Sequence, residues 1–122
     1  MKKASVLIVE DEIIIGMDIQ NTLEDMGYIV PAIATNGEEA VLLAESIRPD
    51  LILMDVILAG GMDGIEAASR INSFSDVPII FVTAYANSSV MQRAKTTRHL
   101  GIISKPLDSY DIQEMMETAL HG

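Results

Sequence analysis

No cysteine occurs in the 122 residues, so disulfides and thiolate chemistry are excluded, and the composition suits a reducing compartment. Aromatic residues make up only 4% of the chain, and a core must be built from Ile, Leu, Val, Met and Ala, which the 49% hydrophobic content supplies. Basic residues are scarce: 8 Lys and Arg stand against 18 Asp and Glu, a formal net charge of -10. That balance argues against direct contact with nucleic acid. It suits a cation-binding pocket and basic or apolar protein partners. No apolar stretch approaches the roughly 20 residues of a membrane span, so neither a membrane partner nor a location outside the cytoplasm is expected. Met1-Lys2-Lys3 before Val6-Leu7-Ile8-Val9 begins like a signal peptide, but the run is short and ends at Glu10-Asp11-Glu12. The length suits one domain over residues 1–122, with its core in about 4–120 and no output domain.

The most informative stretch is Leu51-Ile52-Leu53-Met54-Asp55, an unbroken apolar run that stops at one carboxylate. Such a run reads as a strand buried on both faces. Ser5–Val9 and Ile79–Val82 read the same way, and Gly101–Ser104 is a short last strand. Ile29–Ala34 is a further strand, placed at a sheet edge because Pro31 lacks a ladder donor.

Helices fall between the strands. Ile15, Ile19, Leu23 and Met26 share one face, and Gly27 stops that helix. Asn36 caps the next, with Glu39 placed to reach back and Ala40, Leu43, Ala44 and Ile47 facing the core. Asp63 caps a third, whose inner stripe is Ala67, Ile71 and Phe74. A weakly amphipathic fourth helix spans about Ser88 to Thr97, and a fifth opens at Asp108 with Ile112, Met115, Met116 and Ala119 inward. Unbroken apolar strands alternating with helices predict a parallel sheet covered on both faces. The expected fold class is α/β, resembling the flavodoxin-like (βα)5 sheet, whose known strand order 2-1-3-4-5 would put the strand of Pro31 at an edge.

Right-handed crossovers bring the C-terminal ends of all the strands to one rim. That rim gathers Glu10, Asp11 and Asp55, with Thr83 after the fourth strand and Lys105 after the fifth. Crowded carboxylates repel unless a cation or a proton relieves them. A hard divalent ion with oxygen ligands, above all Mg²⁺, suits them. A carboxylate beside such an ion and an ammonium can attack phosphorus to form an acyl phosphate. The charged groups and a threonine hydroxyl would then steady the phosphoryl oxygens.

Val9-Glu10-Asp11-Glu12, Met54-Asp55, Met62-Asp63-Gly64, Val82-Thr83-Ala84 and Lys105-Pro106, in this order, resemble the signature of the response-regulator receiver domain. The resemblance covers nearly the whole chain. It implies that Asp55 is the phosphoacceptor, that Asp11 ligates Mg²⁺ directly and Glu10 through water, and that the backbone carbonyl of Ile57 is a further ligand. It implies that Thr83 and Lys105 contact the phosphoryl group and that Lys105-Pro106 is a cis peptide, a form open to X-Pro bonds. The implied function is two-component signalling. A sensor histidine kinase or phosphotransfer protein would donate the phosphoryl group, and a downstream protein would read it. The domain would catalyse only its own phosphorylation and dephosphorylation. A homodimer through the face of the fourth helix, last strand and last helix is also implied.

The chain departs from the pattern in places. The loop after Asp55 is longer than usual and carries Ala59-Gly60-Gly61 where proline is common, resembling a stand-alone subgroup with a GxMDG loop. Ile102 stands where an aromatic switch residue is usual, and Tyr85 is the expected substitute partner of Thr83 in the switch. Glu12 reads as a first-turn residue, Asp63 as a cap, the methionines as core filler, and His99 and His121 as surface residues. Two other functions compete. A flavodoxin-like binder would need a Ser, Thr and Gly first loop for phosphate, whereas Glu10-Asp11-Glu12 would repel one. A pseudo-receiver, an interaction module without a phosphorylation switch, would fail to respond to Mg²⁺.

Overall fold

The computed structural model describes residues 3–84 and 87–120. Ten elements alternate: β1 Val6–Val9, α1 Ile13–Asp25, β2 Ile33–Ala34, α2 Gly37–Ile47, β3 Leu51–Asp55, α3 Gly64–Asn72, β4 Ile79–Thr83, α4 Ser88–Ala94, β5 Gly101–Ser104 and α5 Ser109–Leu120. The strands form one parallel sheet in the order β2-β1-β3-β4-β5. The strand order and the flavodoxin-like class expected from the sequence are both present.

Alternation along each strand divides the core between the faces. Leu7, Val9, Ile52, Met54, Ile79 and Phe81 pack with residues of α2, α3 and α4. Val6, Ile8, Leu51, Leu53 and Ile80 pack with Ile19 and Leu23 of α1 and with Ile112, Met115 and Met116 of α5. β1, β3 and β4 are buried on both faces, which is why they read as unbroken apolar runs, whereas β5 is only partly buried.

Local chemistry sets most boundaries. Gly27 takes φ 96° after α1, a conformation that glycine adopts without penalty. The side chains of Asn36, Asp63, Asn87 and Asp108 accept hydrogen bonds from backbone N–H groups three residues on. Glu39 reaches back, but its Oε1 accepts from the Thr35 N–H at 2.8 Å rather than from the cap residue itself.

Three expectations are corrected. β2 is only Ile33–Ala34, because residues 30–32 do not pair with β1 and Ile29 makes one isolated bridge to Ser5. α4 stops at Ala94 rather than Thr97, where Thr97 Oγ1 donates to the Ala94 carbonyl and closes the turn. Phe74 lies beyond the end of α3, half-exposed, because Ser73 Oγ donates to the Arg70 carbonyl and turns the chain off the helical stripe.

Candidate functional site

The strand register brings the predicted residues to one rim. Val9 is level with Met54, Asp55 with Val82, and Thr83 with Ser104. Residues just past Val9 and Ser104 therefore stand beside Asp55. Glu10 and Asp55 are buried, at 2% and 6% exposure, and Asp11 is exposed. One carboxylate oxygen from each of the three lies within 4.8 Å of the other two.

Lys105 closes the group. Its Nζ donates to Glu10 Oε1 at 2.6 Å and to Asp55 Oδ2 at 2.8 Å. Burial of the ammonium works to lower its pKa. The hydrogen bonds and negative charge of Asp55 and Glu10 outweigh it and hold the pKa above the ordinary lysine value. Asp55 Oδ1 accepts from the Ile57 N–H at 3.2 Å, and Glu10 Oε2 from the Glu12 N–H at 3.2 Å. Both carboxylates are thus held at both oxygens, which fixes their orientation. The sequence reading gave Lys105 a phosphoryl contact and did not foresee its bridge to Glu10.

Thr83 is fully buried at the end of β4, and its carbonyl accepts from the Lys105 N–H at 2.8 Å. The ends of β4 and β5 are therefore tied beside the carboxylates. The Lys105–Pro106 bond is cis. Ile102 is partly buried and packs against the core cluster that contains Phe81 and Ala94. Tyr85 lies outside the described residues. Asp63 is a cap, as expected, and it has a second role that local sequence did not signal: its Oδ2 holds Arg93 of α4 at 2.6 Å.

Gly64 packs directly beneath Asp55. A Cβ at this position would overlap the Asp55 carbonyl oxygen, and the Gly64 N–H donates to the Val56 carbonyl at 2.8 Å. The long loop between them is held at mid-length by a bridge from Ala59 to Asn36. Ile57, at the near end of this loop, is half-exposed at the rim.

The donor set fits a hard divalent cation. All three side chains offer oxygen, and three carboxylates less one ammonium leave two negative charges. Among the described residues no helix is long and apolar enough to cross a membrane.

Comparison with known proteins identifies the family. The family profile described as the response regulator receiver domain matches residues 6–117. The transcriptional regulatory protein PdtaR of Mycobacterium tuberculosis is 39% identical over 115 residues, 94% of this chain and 56% of that protein. The phyllosphere-induced regulator PhyR of Methylorubrum extorquens is 36% identical over 94% of this chain and 43% of its own length. The chain spans about half the length of these curated relatives. Among solved structures, the signal receiver domain of a modulated diguanylate cyclase from Desulfovibrio desulfuricans G20 superposes with a TM-score of 0.90 at 38% identity, covering 98% of this chain and 95% of that one. The receiver domain of the sensor histidine kinase PA1611 of Pseudomonas aeruginosa, with a magnesium ion coordinated in its active site cleft, gives a TM-score of 0.89 at 28% identity over 99% and 100% of the two chains. With the family profile matched from Val6 almost to the end of α5, the chain belongs to the response regulator receiver domains of two-component systems.

Proposed function

We propose that the domain accepts a phosphoryl group on Asp55 from a phospho-histidine of a sensor kinase or phosphotransfer protein. The observation that supports this most strongly is the Asp55 carboxylate held by Lys105 and the Ile57 N–H beside Glu10 and Asp11. In the transfer, an Asp55 oxygen bonds to phosphorus as the phosphorus–nitrogen bond breaks. The electron pair of that bond leaves with the ring nitrogen. Mg²⁺, held by Glu10, Asp11, Asp55 and the Ile57 carbonyl, would neutralise charge on the phosphoryl oxygens. The Lys105 ammonium, already hydrogen-bonded to Asp55, pairs with the phosphoryl group as it arrives. The Thr83 hydroxyl donates to one of its oxygens.

The domain works on itself rather than turning over a separate substrate. It signals through protein contacts, either to a downstream partner or to a second copy through the α4–β5–α5 face, in the cytoplasm. Glu10, Asp11, Asp55, Thr83 and Lys105 in one rim favour this reading over a pseudo-receiver. Incubation with acetyl phosphate and Mg²⁺, followed by mass spectrometry, tests it: one acyl phosphate is expected, on Asp55. An Asp55→Asn variant that is modified to the same extent would overturn it.

A further inference from the structure

α4 is seven residues long, and Ala94 is its one fully buried residue. A helix with so little buried apolar surface detaches at low free energy. Its strongest polar tie outside its own turns is the Arg93 guanidinium, whose Nη2 meets Asp63 Oδ2 at 2.6 Å across thirty residues of sequence.

The anchor for this tie is packed beside Asp55. Asp63 Oδ1 is engaged by the Glu66 N–H at 2.9 Å, capping α3. The next residue, Gly64, is close-packed on the Asp55 carbonyl and bonded to Val56. The intervening loop is pinned at Ala59, and Met62 packs over Gly37. Asp63 is thus anchored beside the end of the Asp55 strand.

The other end of α4 lies close to Thr83 in sequence. Only Ala84, Tyr85 and Ala86 separate Thr83 from Asn87, the α4 cap. Under the function proposed above, a displacement of Thr83 toward a phosphoryl group would act on the start of α4, whereas Arg93 in its last turn meets Asp63.

We propose that the Asp63–Arg93 ion pair is a latch that holds α4 to the phosphoacceptor loop in the unmodified protein and opens when Asp55 is phosphorylated. The opening step rests on the reading of Asp55 and Thr83 above; the latch itself does not. Both partners are partly exposed, so the pair is worth what surface ion pairs are worth. That changes the open population of α4 about twofold to fivefold. A bias of this size suits a threshold that one modification can overcome.

Amide hydrogen exchange of residues 88–94 tests the latch in the unmodified protein. Arg93→Gln is expected to speed exchange there about twofold to fivefold. Asp63→Asn keeps an acceptor oxygen for the α3 cap and removes the charge, so it should do the same without loosening α3. The double variant should exceed neither single one. Raising the salt to about 1 M, where screening acts within about 3 Å, should bring the parent protein toward the variants. Unchanged exchange in Arg93→Gln, or additive effects in the double variant, would overturn the latch. With Mg²⁺ and beryllofluoride, a phosphoryl mimic, the parent should gain the fast exchange that Arg93→Gln already has. If the parent binds the mimic and α4 exchange does not rise, the opening step is wrong. If the parent does not bind it, the reading of Asp55 fails and takes the opening step with it, while the unmodified comparison still decides the latch.

Discussion

Lys105 and Asp55, fifty residues apart in sequence, meet at 2.8 Å, and the same ammonium holds Glu10 at 2.6 Å. The lysine therefore stabilises the two buried carboxylates by itself. With Mg²⁺ chelated, Lys105→Met should lower unfolding stability by roughly 1.5–3 kcal/mol at neutral pH, the range for hydrogen bonds to charged groups. The sign of the pH dependence follows from the raised Lys105 pKa. A cation whose pKa is higher in the folded state contributes fully below its unfolded pKa, and the contribution fades as pH rises through the folded value. The stability gap between parent and variant should stay level through neutral and mildly alkaline pH and narrow only above the ordinary lysine range. Urea titrations across pH measure it, and a gap that closes near neutrality would contradict the arrangement.

Asp11 is the carboxylate that Lys105 does not reach among the described contacts, and it is exposed. Repulsion within the metal-free acid group should therefore be small. Asp11→Asn is expected to raise metal-free stability by less than about 1 kcal/mol, as suits an exposed charge. Mg²⁺ should raise the melting temperature of the parent by linkage, by RT ln(1 + [Mg²⁺]/Kd), and that of Asp11→Asn much less. A melting curve unmoved by millimolar Mg²⁺ would count against the site.

What could be read from the sequence was what local chemistry decides. The apolar runs of β1, β3 and β4 announce strands because both of their faces are buried. Asn36 and Asp63 announce helix starts because each satisfies a backbone N–H three residues away. β2 was overdrawn because its length depends on how far the chain stays in register with Ile8 and Val9, which residues 29–34 do not encode. Phe74 continues the period of Ala67 and Ile71, but the Ser73 turn overrides it. The rim residues could be placed from strand order alone. The double grip of Lys105 and the Asp63–Arg93 pair could not, because long side chains choose partners across the assembled surface.

Gly61, in the loop after Asp55, and Gly64, the first residue of α3, differ sharply in surroundings. A Cβ at Gly64 would collide with the Asp55 carbonyl oxygen, which is backbone and cannot swing aside, whereas Gly61 faces open space and has no left-handed φ. Gly64→Ala should lower stability by about 3 kcal/mol, the upper end for overpacking, and slow phosphorylation by acetyl phosphate. Gly61→Ala should shift stability by less than about 0.5 kcal/mol and leave phosphorylation alone. Urea midpoints and phosphoprotein gels measure both, and equal effects of the two substitutions would refute the close-packing account.

Ile102 faces the core cluster from β5, level with Phe81 of β4. It is β-branched, so χ1 is stiff, and it has no ring to swing and no hydroxyl to trade between solvent and interior. Its place is one of packing, and under the function proposed above Tyr85 is the expected partner of Thr83. Ile102→Ala should lower stability by roughly 1–2 kcal/mol, below the cost at a fully buried site because the side chain is partly exposed. The beryllofluoride response of α4, read by hydrogen exchange or by nuclear magnetic resonance shifts at Val90 and Ala94, should survive it. Tyr85→Ala should blunt that response. A response lost in Ile102→Ala and kept in Tyr85→Ala would return the switch to β5, with the isoleucine transmitting through packing what an aromatic residue transmits by rotation.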